Sequence, residues 1–333
     1  MNLQNPKKFK LLIDQAHQVA INVLRPISRK YDKAEHSYPK ELDMLASLVD
    51  GMNEGGEGMN AGAAVGKRGT NEQGNKNGVN LSTALSVIEM CYGDTALLLS
   101  MPRQGLGNSA IAAVANEEQL ERFKNTWAAM AITEPNCGSD SAAIRTTATK
   151  DGDDYILNGE KIFVTSGERA DAIVVWATLD KKLGRSAIKS FVIPKGTAGM
   201  TVDRLELKLG IKASDTAVIR LIDCRVPANN LLGNAEIDIA KGFAGVMETF
   251  DNTRPLVAAM AIGCAKASLE RIKEIFSDYL DPQYITPYLQ TTHIASQIYR
   301  MEAEWEAARL LTLKAAWMAD NKKPNSKEAS ISK

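Results

Sequence analysis

The sequence predicts an α+β protein in three consecutive parts: an N-terminal all-α domain (1–128), a small central antiparallel β-domain (129–235) and a C-terminal helical bundle (236–333). Three observations carry this expectation. Apolar residues recur at helical spacing through about the first 125 positions. Between Ala129 and Val226 the pattern changes to short runs separated by turn signals. Beyond Ala235 two long helical periods return.

In the first part, Phe9, Leu12, Ile13, Ala16, Val19, Ala20 and Val23 share a helical spacing that Pro26 should end. A second helix is expected over about Lys40–Val49. Residues 51–80 are rich in Gly and Asn, and two phosphate motifs fail there. Gly62-Ala-Ala-Val-Gly66-Lys67 has three residues between its glycines where a phosphate-binding loop needs four, and Arg68 stands where its hydroxyl residue should be. Gly56-Glu-Gly58 lacks the third glycine of a dinucleotide site. The stretch reads as a loop near a ligand mouth. From Leu81 the period is helical again, with Leu85, Ile88 and Cys91 on a buried face and Asp94 as an N-cap. Helices near Leu106–Ala115 and Glu117–Asn125 complete the part. His17 and His36 read as ordinary helix or loop residues.

The strands follow: Ala129–Ile132, Arg145–Thr149, Tyr155–Asn158, Glu160–Thr165, Ala172–Thr178, Ser190–Ile193, Met200–Leu205 and Ala217–Val226. Asp151-Gly152 and Asn158-Gly159 are strong hairpin signals. Such closely spaced strands suit a small sandwich or barrel. The last part holds a helix running to about Asp278 with Pro255 inside it, as a kink or a fresh start. A second, Thr292–Ala319, places Ile294, Ile298, Met301, Trp305, Ala308 and Ala315 on one packing face. The tail 321–333 is polar.

Composition narrows the function. A chain of 333 residues exceeds one usual core. Its 40 basic and 40 acidic residues balance, so no basic nucleic-acid footprint exists. No apolar run approaches the roughly 20 residues of a membrane span, and the N-terminus lacks a signal-peptide core. Cys91, Cys137, Cys224 and Cys264 are scattered, as for free thiols in a reducing compartment, and a cytoplasmic location is expected. The three histidines share no ligand spacing, which argues against a metal centre or a Ser-His-Asp triad.

The stretch Met130-Ala-Ile-Thr-Glu-Pro-Asn-Cys-Gly-Ser-Asp140 stands out. A short apolar strand breaks into a turn flanked by the hydroxyls of Thr133 and Ser139. Exposed backbone N–H groups beside two hydroxyls suit a diphosphate or a carbonyl-rich ring. Taken alone, the segment is more simply a strand and an Asx/Ser turn.

Its neighbours change the balance. Ala131-Ile-Thr-Glu-Pro-Asn-Cys-Gly-Ser-Asp140 resembles the "TEP…GSD" signature of the acyl-CoA dehydrogenases. Leu157-Asn-Gly-Glu-Lys-Ile-Phe-Val-Thr-Ser-Gly167 resembles their "NGxKxWITNG" hairpin. Leu207–Thr216, Asp223–Gly233 and Phe250-Asp-Asn-Thr-Arg-Pro255 follow in the family's order. The resemblance covers almost the whole chain. It implies an FAD-dependent enzyme that oxidises an acyl-CoA to the trans-2-enoyl-CoA and passes electrons to an electron-transfer flavoprotein, as a homodimer or homotetramer.

By that resemblance Met130, Ala131, Ile132 and Thr133 line the flavin, Thr133 bonding to its polar edge. Ser139 reaches the diphosphate and touches substrate. Phe163, Val164 and Thr165 cover the other side, with Thr165 near N5. Donors there hold the negative charge that develops on the ring. Phe163 stands where the family usually has Trp. Asp251, Asn252, Thr253 and Arg254 contact the acyl-CoA, with Arg254 suited to a phosphate or the adenine.

The departures concern the base. The family's reaction removes a proton beside the thioester carbonyl, for which a carboxylate in a dry pocket is suited. One of its two positions for that Glu falls on Thr253. The other lies near the family's C-terminal end, which this chain stops short of, so a shortened bundle is expected. Glu248, one turn earlier, is the remaining carboxylate weighed, and is disfavoured. The catalytic residue is therefore left unassigned. Tyr279-Leu-Asp-Pro-Gln283 replaces the family's Arg-x-x-Phe-Gly, which weakens the expected cross-subunit flavin contact. Alternatives are a relative that binds acyl-CoA or flavin without turnover, and a flavin oxidase or monooxygenase on the same scaffold.

Overall fold

A computed structural model of the chain describes residues 5–54, 77–102, 106–237, 244–280 and 292–333. Seven helices precede the strands: α1 (Lys10–Val19), α2 (Arg25–Lys33), α3 (Glu41–Glu54), α4 (Val79–Gly93), α5 (Thr95–Leu99), α6 (Leu106–Val114) and α7 (Glu117–Phe123). Seven strands follow: β1 (Ala128–Ala131), β2 (Thr147–Asp151), β3 (Asp154–Thr165), β4 (Ala172–Thr178), β5 (Ile188–Pro194), β6 (Met200–Leu205) and β7 (Thr216–Pro227). Then come α8 (Ala244–Ile275), α9 (Ser277–Leu280), α10 (His293–Asp320) and α11 (Ser326–Ser332). The α, β, α order read from the sequence holds. Among the described residues no helix is long and apolar enough to cross a membrane.

The chain divides into two compact units. The first comprises Met1–Ser28, Gln73–Thr95 and Arg254–Lys333; the second comprises Arg29–Glu72 and Ala96–Thr253.

The first unit is helical. Helix α4 has no polar stripe: nine consecutive residues, Thr83–Cys91, are buried, as expected of a helix surrounded by others. Its amino end is capped from a distance. Asp320, closing α10, accepts from the backbone N–H groups of Gly78, Asn80 and Leu81 at 2.8, 2.9 and 3.1 Å, satisfying donors a helix start leaves open. Glu89, buried on α4, meets His17 Nδ1 of α1 at 2.8 Å and Lys266 Nζ of α8 at 2.8 Å. Trp305 Nε1 donates to the Ile262 carbonyl at 3.0 Å, joining α10 to α8.

The second unit is built on one sheet. Its order is β1-β4-β2-β3-β7-β6, with β5 also paired to β4. Strands β3 and β7 pair antiparallel along most of their length, as do β4 and β5. The all-antiparallel expectation needs correction, because β1 and β2 both run parallel to β4. The core lies on the two faces. Tyr155, Leu157, Val175, Phe191, Ile193 and Ile219 fill one cluster. Ile111, Phe123, Ile132, Val174, Trp176 and Val192 fill the other, with Met130 and Phe250 packed against its margin. Helix α6 reaches β1 through Gly107. A Cβ there would stand 2.3 Å from the Ala129 carbonyl oxygen and 2.5 Å from that of Ala128, so only glycine permits the approach.

Several expectations are overturned. Pro26 does not end the first helix. The backbone passes through a π-turn at Ala20–Leu24 and continues as α2; widening the ladder just before a proline relieves the clash of its ring with the preceding turn. Asn158-Gly159 is no hairpin. Strand β3 runs unbroken from Asp154 to Thr165, and the Asn-Gly pair marks a register shift against β7 between Leu157 and Gly159, a bulge of the kind glycine allows. Asp151-Gly152 does form its hairpin, joining β2 to β3. On α10, Ile298 and Ala315 are buried as expected, but Met301 and Ala308 are exposed, and Ala295, Thr312, Leu313 and Ala316 join the buried face. The polar tail holds α11. The Gly/Asn-rich stretch, including the failed phosphate motifs, lies outside the described residues at 55–76, with helix at 51–54 and from 79.

Replacing Gly107 by Ala forces α6 away from β1. Urea unfolding should show a loss of about 1–3 kcal/mol with an unchanged m-value; a stability equal to the parent's would mean the helix shifts at no cost.

Candidate active site

The candidate site is the edge of the sheet where β1 ends. After Ala131 the chain leaves the ladder. Glu134 and Cys137 then exchange two backbone hydrogen bonds of 3.1 Å each, closing a tight turn over Pro135 and Asn136. That turn directs the Glu134 side chain inward. Its carboxylate is 5% exposed and is enclosed by donors. The backbone N–H groups of Arg145 and Thr146 reach it at 2.7 and 2.9 Å, the Thr146 hydroxyl at 2.6 Å, and Lys161 Nζ at 2.7 Å.

Lys161 comes from β3 and is wholly buried. Its ammonium also donates to the Ile132 carbonyl at 3.1 Å, and the next residue, Ile162, donates its N–H to the Thr133 carbonyl at 2.9 Å. Burial opposes ionisation of Glu134, but the Lys161 charge and the hydrogen bonds from Lys161, Thr146 and Arg145 outweigh it and hold the carboxyl at about 2, below its usual 4.5. Burial likewise pulls Lys161 below its usual range, and the Glu134 charge resists. The carboxylate thus has four donors and the lysine two acceptors, all within the buried edge.

Immediately past Lys161, β3 bulges. Its register against β7 slips between Lys161 and Val164. Phe163 takes φ 58° and Ser166 φ 60°, a left-handed conformation that costs a bulky residue free energy and gathers at functional positions. The result turns Phe163 outward, 61% exposed, while Val164 is wholly buried. Ser166 is anchored by donating its N–H to the Asp215 carbonyl at 3.0 Å. Thr165 is half-buried on the same edge.

The structure thus brings together two of the three groups of residues expected in the site. Met130, Ala131, Ile132 and Thr133 stand at the end of β1, beside Phe163, Val164 and Thr165 on β3. Ala131 and Val164 contribute backbone, since both side chains are core. Ser139 lies exposed on the following turn. The third group, Asp251 to Arg254, occupies one turn of α8. Phe250, just before it, packs against the same core cluster as Met130 and Ile132. The Asn252 side chain and that of Glu248 lie outside the described residues, as do positions 281–291 with most of the Tyr279–Gln283 departure. Thr253 is buried and its hydroxyl donates to the Phe250 carbonyl at 3.5 Å.

The donor set fits a flavin. Among the described residues, the hydroxyls of Thr133 and Thr165 engage no other protein group, nor do the backbone N–H groups of Gly138 and Ser139. Two hydroxyl donors, a run of open N–H groups and an outward aromatic ring match the carbonyl edge, N5, the diphosphate and the ring face of FAD. The residue that sequence reasoning missed is Glu134. It and Lys161 were visible only as motif letters, although a charged residue inside an apolar strand signals a buried partner.

The depressed pKa of Glu134 sets a pH dependence. A carboxyl at about 2 when folded and 4.5 otherwise contributes stability that is present above the unfolded value and lost as pH falls from about 4.5 toward 2. Glu134→Gln is expected to destabilise the protein at pH 7 by about 3–5 kcal/mol and to flatten the decline in melting temperature across that acid window. A variant whose melting temperature falls as steeply as the parent's would show that another carboxyl is responsible.

Comparison with known proteins identifies the family. A family model for the acyl-CoA dehydrogenase middle domain matches residues 129–224, and one for the acyl-CoA dehydrogenase C-terminal domain matches residues 240–333. A probable acyl-CoA dehydrogenase of Bacillus subtilis is 35% identical over 271 residues, covering 79% of this chain and 70% of the relative. The mitochondrial short-chain specific acyl-CoA dehydrogenase of Rattus norvegicus is 31% identical over 346 residues, covering 100% of this chain and 77% of its own length. The solved structure of butyryl-CoA dehydrogenase from Megasphaera elsdenii superposes with a TM-score of 0.80 at 31% identity, over 100% of this chain and 84% of that one. With both family models matched in order and relatives above 30% identity over most of their length, the chain belongs to the acyl-CoA dehydrogenases.

Proposed function

We propose that this protein is an FAD-dependent oxidoreductase that dehydrogenates an acyl-CoA to the trans-2-enoyl-CoA, and that the edge formed by Met130–Thr133 and Phe163–Thr165 holds the flavin. The observation that carries the assignment is the meeting of those two segments, each with a threonine hydroxyl that engages no other protein group among the described residues. When bound, FAD supplies the two-electron acceptor for the β-hydrogen. The chain's own residues orient and shield it. Thr133 and Thr165 donate hydrogen bonds where negative charge develops, at no reorganisation cost because their strands are already fixed. Phe163 covers the ring and excludes water. Ser139 and its neighbouring N–H groups take the diphosphate, and Ser139 also touches the substrate.

The Asp251–Arg254 turn of α8 is the acyl-CoA contact in this reading, with Arg254 as the cation for a phosphate or the adenine. Thr253 is not the proton acceptor. Its hydroxyl is committed to Phe250 and has no basicity at neutral pH. The electron acceptor is an electron-transfer flavoprotein, the working form a homodimer or homotetramer, and the pathway fatty-acid oxidation. The sequence-order division at 1–128, 129–235 and 236–333 is kept as a description of these roles, with the flavin edge in the middle segment.

The test is an absorbance spectrum followed by anaerobic addition of acyl-CoAs of graded chain length. A flavin band that one of them bleaches is the expected result, and the acyl-CoA that bleaches fastest gives the chain-length preference. A flavin that no acyl-CoA bleaches would overturn the activity. In the same assay Thr165→Val should retain FAD and bleach at least about tenfold more slowly; a parental rate would remove Thr165 from the reacting edge.

A further inference from the structure

In the sheet order, β4 and β2 lie between β1 and β3. The two segments assigned to the flavin are therefore not neighbours in the ladder, and no regular β-pairing sets their spacing. Where they meet, three bonds join them. Lys161 Nζ reaches the Glu134 carboxylate and the Ile132 carbonyl, and Ile162 N–H reaches the Thr133 carbonyl. Phe163 begins one residue later and is mostly exposed on a strained backbone, so its own packing does not hold it in place.

We infer that the buried Glu134–Lys161 pair is a positioning device for the cofactor, fixing the distance and register between Thr133 and the Phe163–Thr165 bulge before FAD binds. The inference rests on the assignment of these segments to FAD. A buried ion pair is a poor source of net stability, because an apolar pair of similar shape often does as well. What an apolar pair lacks is direction. Glu134 accepts from four donors on two separate segments, the Arg145–Thr146 stretch and β3, and Lys161 binds two acceptors on the far side of the edge. Such a network has one arrangement in which all its members are satisfied. The neighbouring geometry follows the same arrangement. Thr146, which supplies two of the donors, lies against Gly159, where a Cβ would come within 2.3 Å of its hydroxyl. The β3 backbone is thus pressed onto the network just before Lys161.

The experiment separates position from stability. FAD dissociation constants, visible circular dichroism of the bound flavin and melting temperatures are compared for the parent protein, Lys161→Met, the double variant Glu134→Gln/Lys161→Met, and Thr146→Val. The double variant should recover most of the melting temperature lost by Lys161→Met, while its FAD affinity stays at least about tenfold weaker than the parent's and its flavin dichroism remains altered. Recovery of affinity and dichroism together with stability would overturn the inference, since the pair would then be structural filling. Should the Lys161 variants fail to fold, Thr146→Val decides. It removes one hydroxyl donor to Glu134 at nearly constant volume and should weaken FAD binding by about threefold or more with a changed dichroism. An unchanged affinity and spectrum there would sink the proposal. A parent protein that binds no FAD would overturn the FAD assignment itself, a different outcome from variants that bind it like the parent.

Discussion

The structure of the sheet edge depends on one ion pair being taken out of water. A carboxylate and an ammonium in a nearly dry interior each lose several kcal/mol of hydration, and only close contact with additional hydrogen bonds repays that loss. Glu134 and Lys161 meet the condition by drawing in the Pro135–Asn136 turn, the backbone after Ile144, the Thr146 hydroxyl and the Ile132 carbonyl. Those demands shape the surroundings. The turn must be tight to point Glu134 inward. Strand β3 must approach Thr146 closely enough to exclude a side chain at residue 159. The bulge after Lys161 then exposes Phe163. In the proposed reading, the features that suit the edge to a cofactor follow from satisfying the charges beneath it.

Local chemistry made much of this legible in the sequence. Periodicity located most helices, and Asp151-Gly152 located its hairpin, because those signals act over a few residues. Thr133 and Ser139 stood out as hydroxyls flanking a turn, whereas Phe163 and Thr165 were reached only through the family resemblance of the hairpin that carries them. What failed was anything set by distant partners. The parallel pairing of β1 with β4 depends on strand order, which no local pattern encodes. Asn158-Gly159 permits a hairpin or a bulge, and the choice falls to β7, which continues alongside on both sides of it. Pro26 is tolerated because a π-turn forms upstream, an adjustment that the packing of Ala20 and Leu24 selects. Asp320 capping a helix 240 residues earlier in the chain was beyond any window of reading.

The helical unit follows the same rule with different materials. Helix α4 is enclosed on all sides, so its neighbours cannot be told apart by a hydrophobic stripe. Their placement is specified by polar groups with particular partners: Glu89 pairs with His17 and Lys266, Asp320 accepts from the α4 amino end, and the Trp305 N–H donates to a carbonyl on α8. Small residues and glycines let the helices come close, and the polar contacts choose among the many close packings that would bury similar areas.

This separation of packing from direction bears on the chemistry. Dehydrogenation needs an electron acceptor held in a fixed plane and a base that reaches the carbon beside the thioester. In the reading proposed above, the first requirement is met by two segments of one sheet, the end of β1 and the β3 bulge, joined by the buried Glu134–Lys161 pair. The second is not met by the turn that carries Thr253, whose hydroxyl is bonded within its own helix. Acceptor geometry and proton removal are therefore carried by different segments, and the acceptor side alone imposes the strained backbone and the buried ion pair. A base needs only one carboxylate at one distance, so many placements would serve. The flavin edge cannot move so freely, since it is defined by two strands that no ladder holds together.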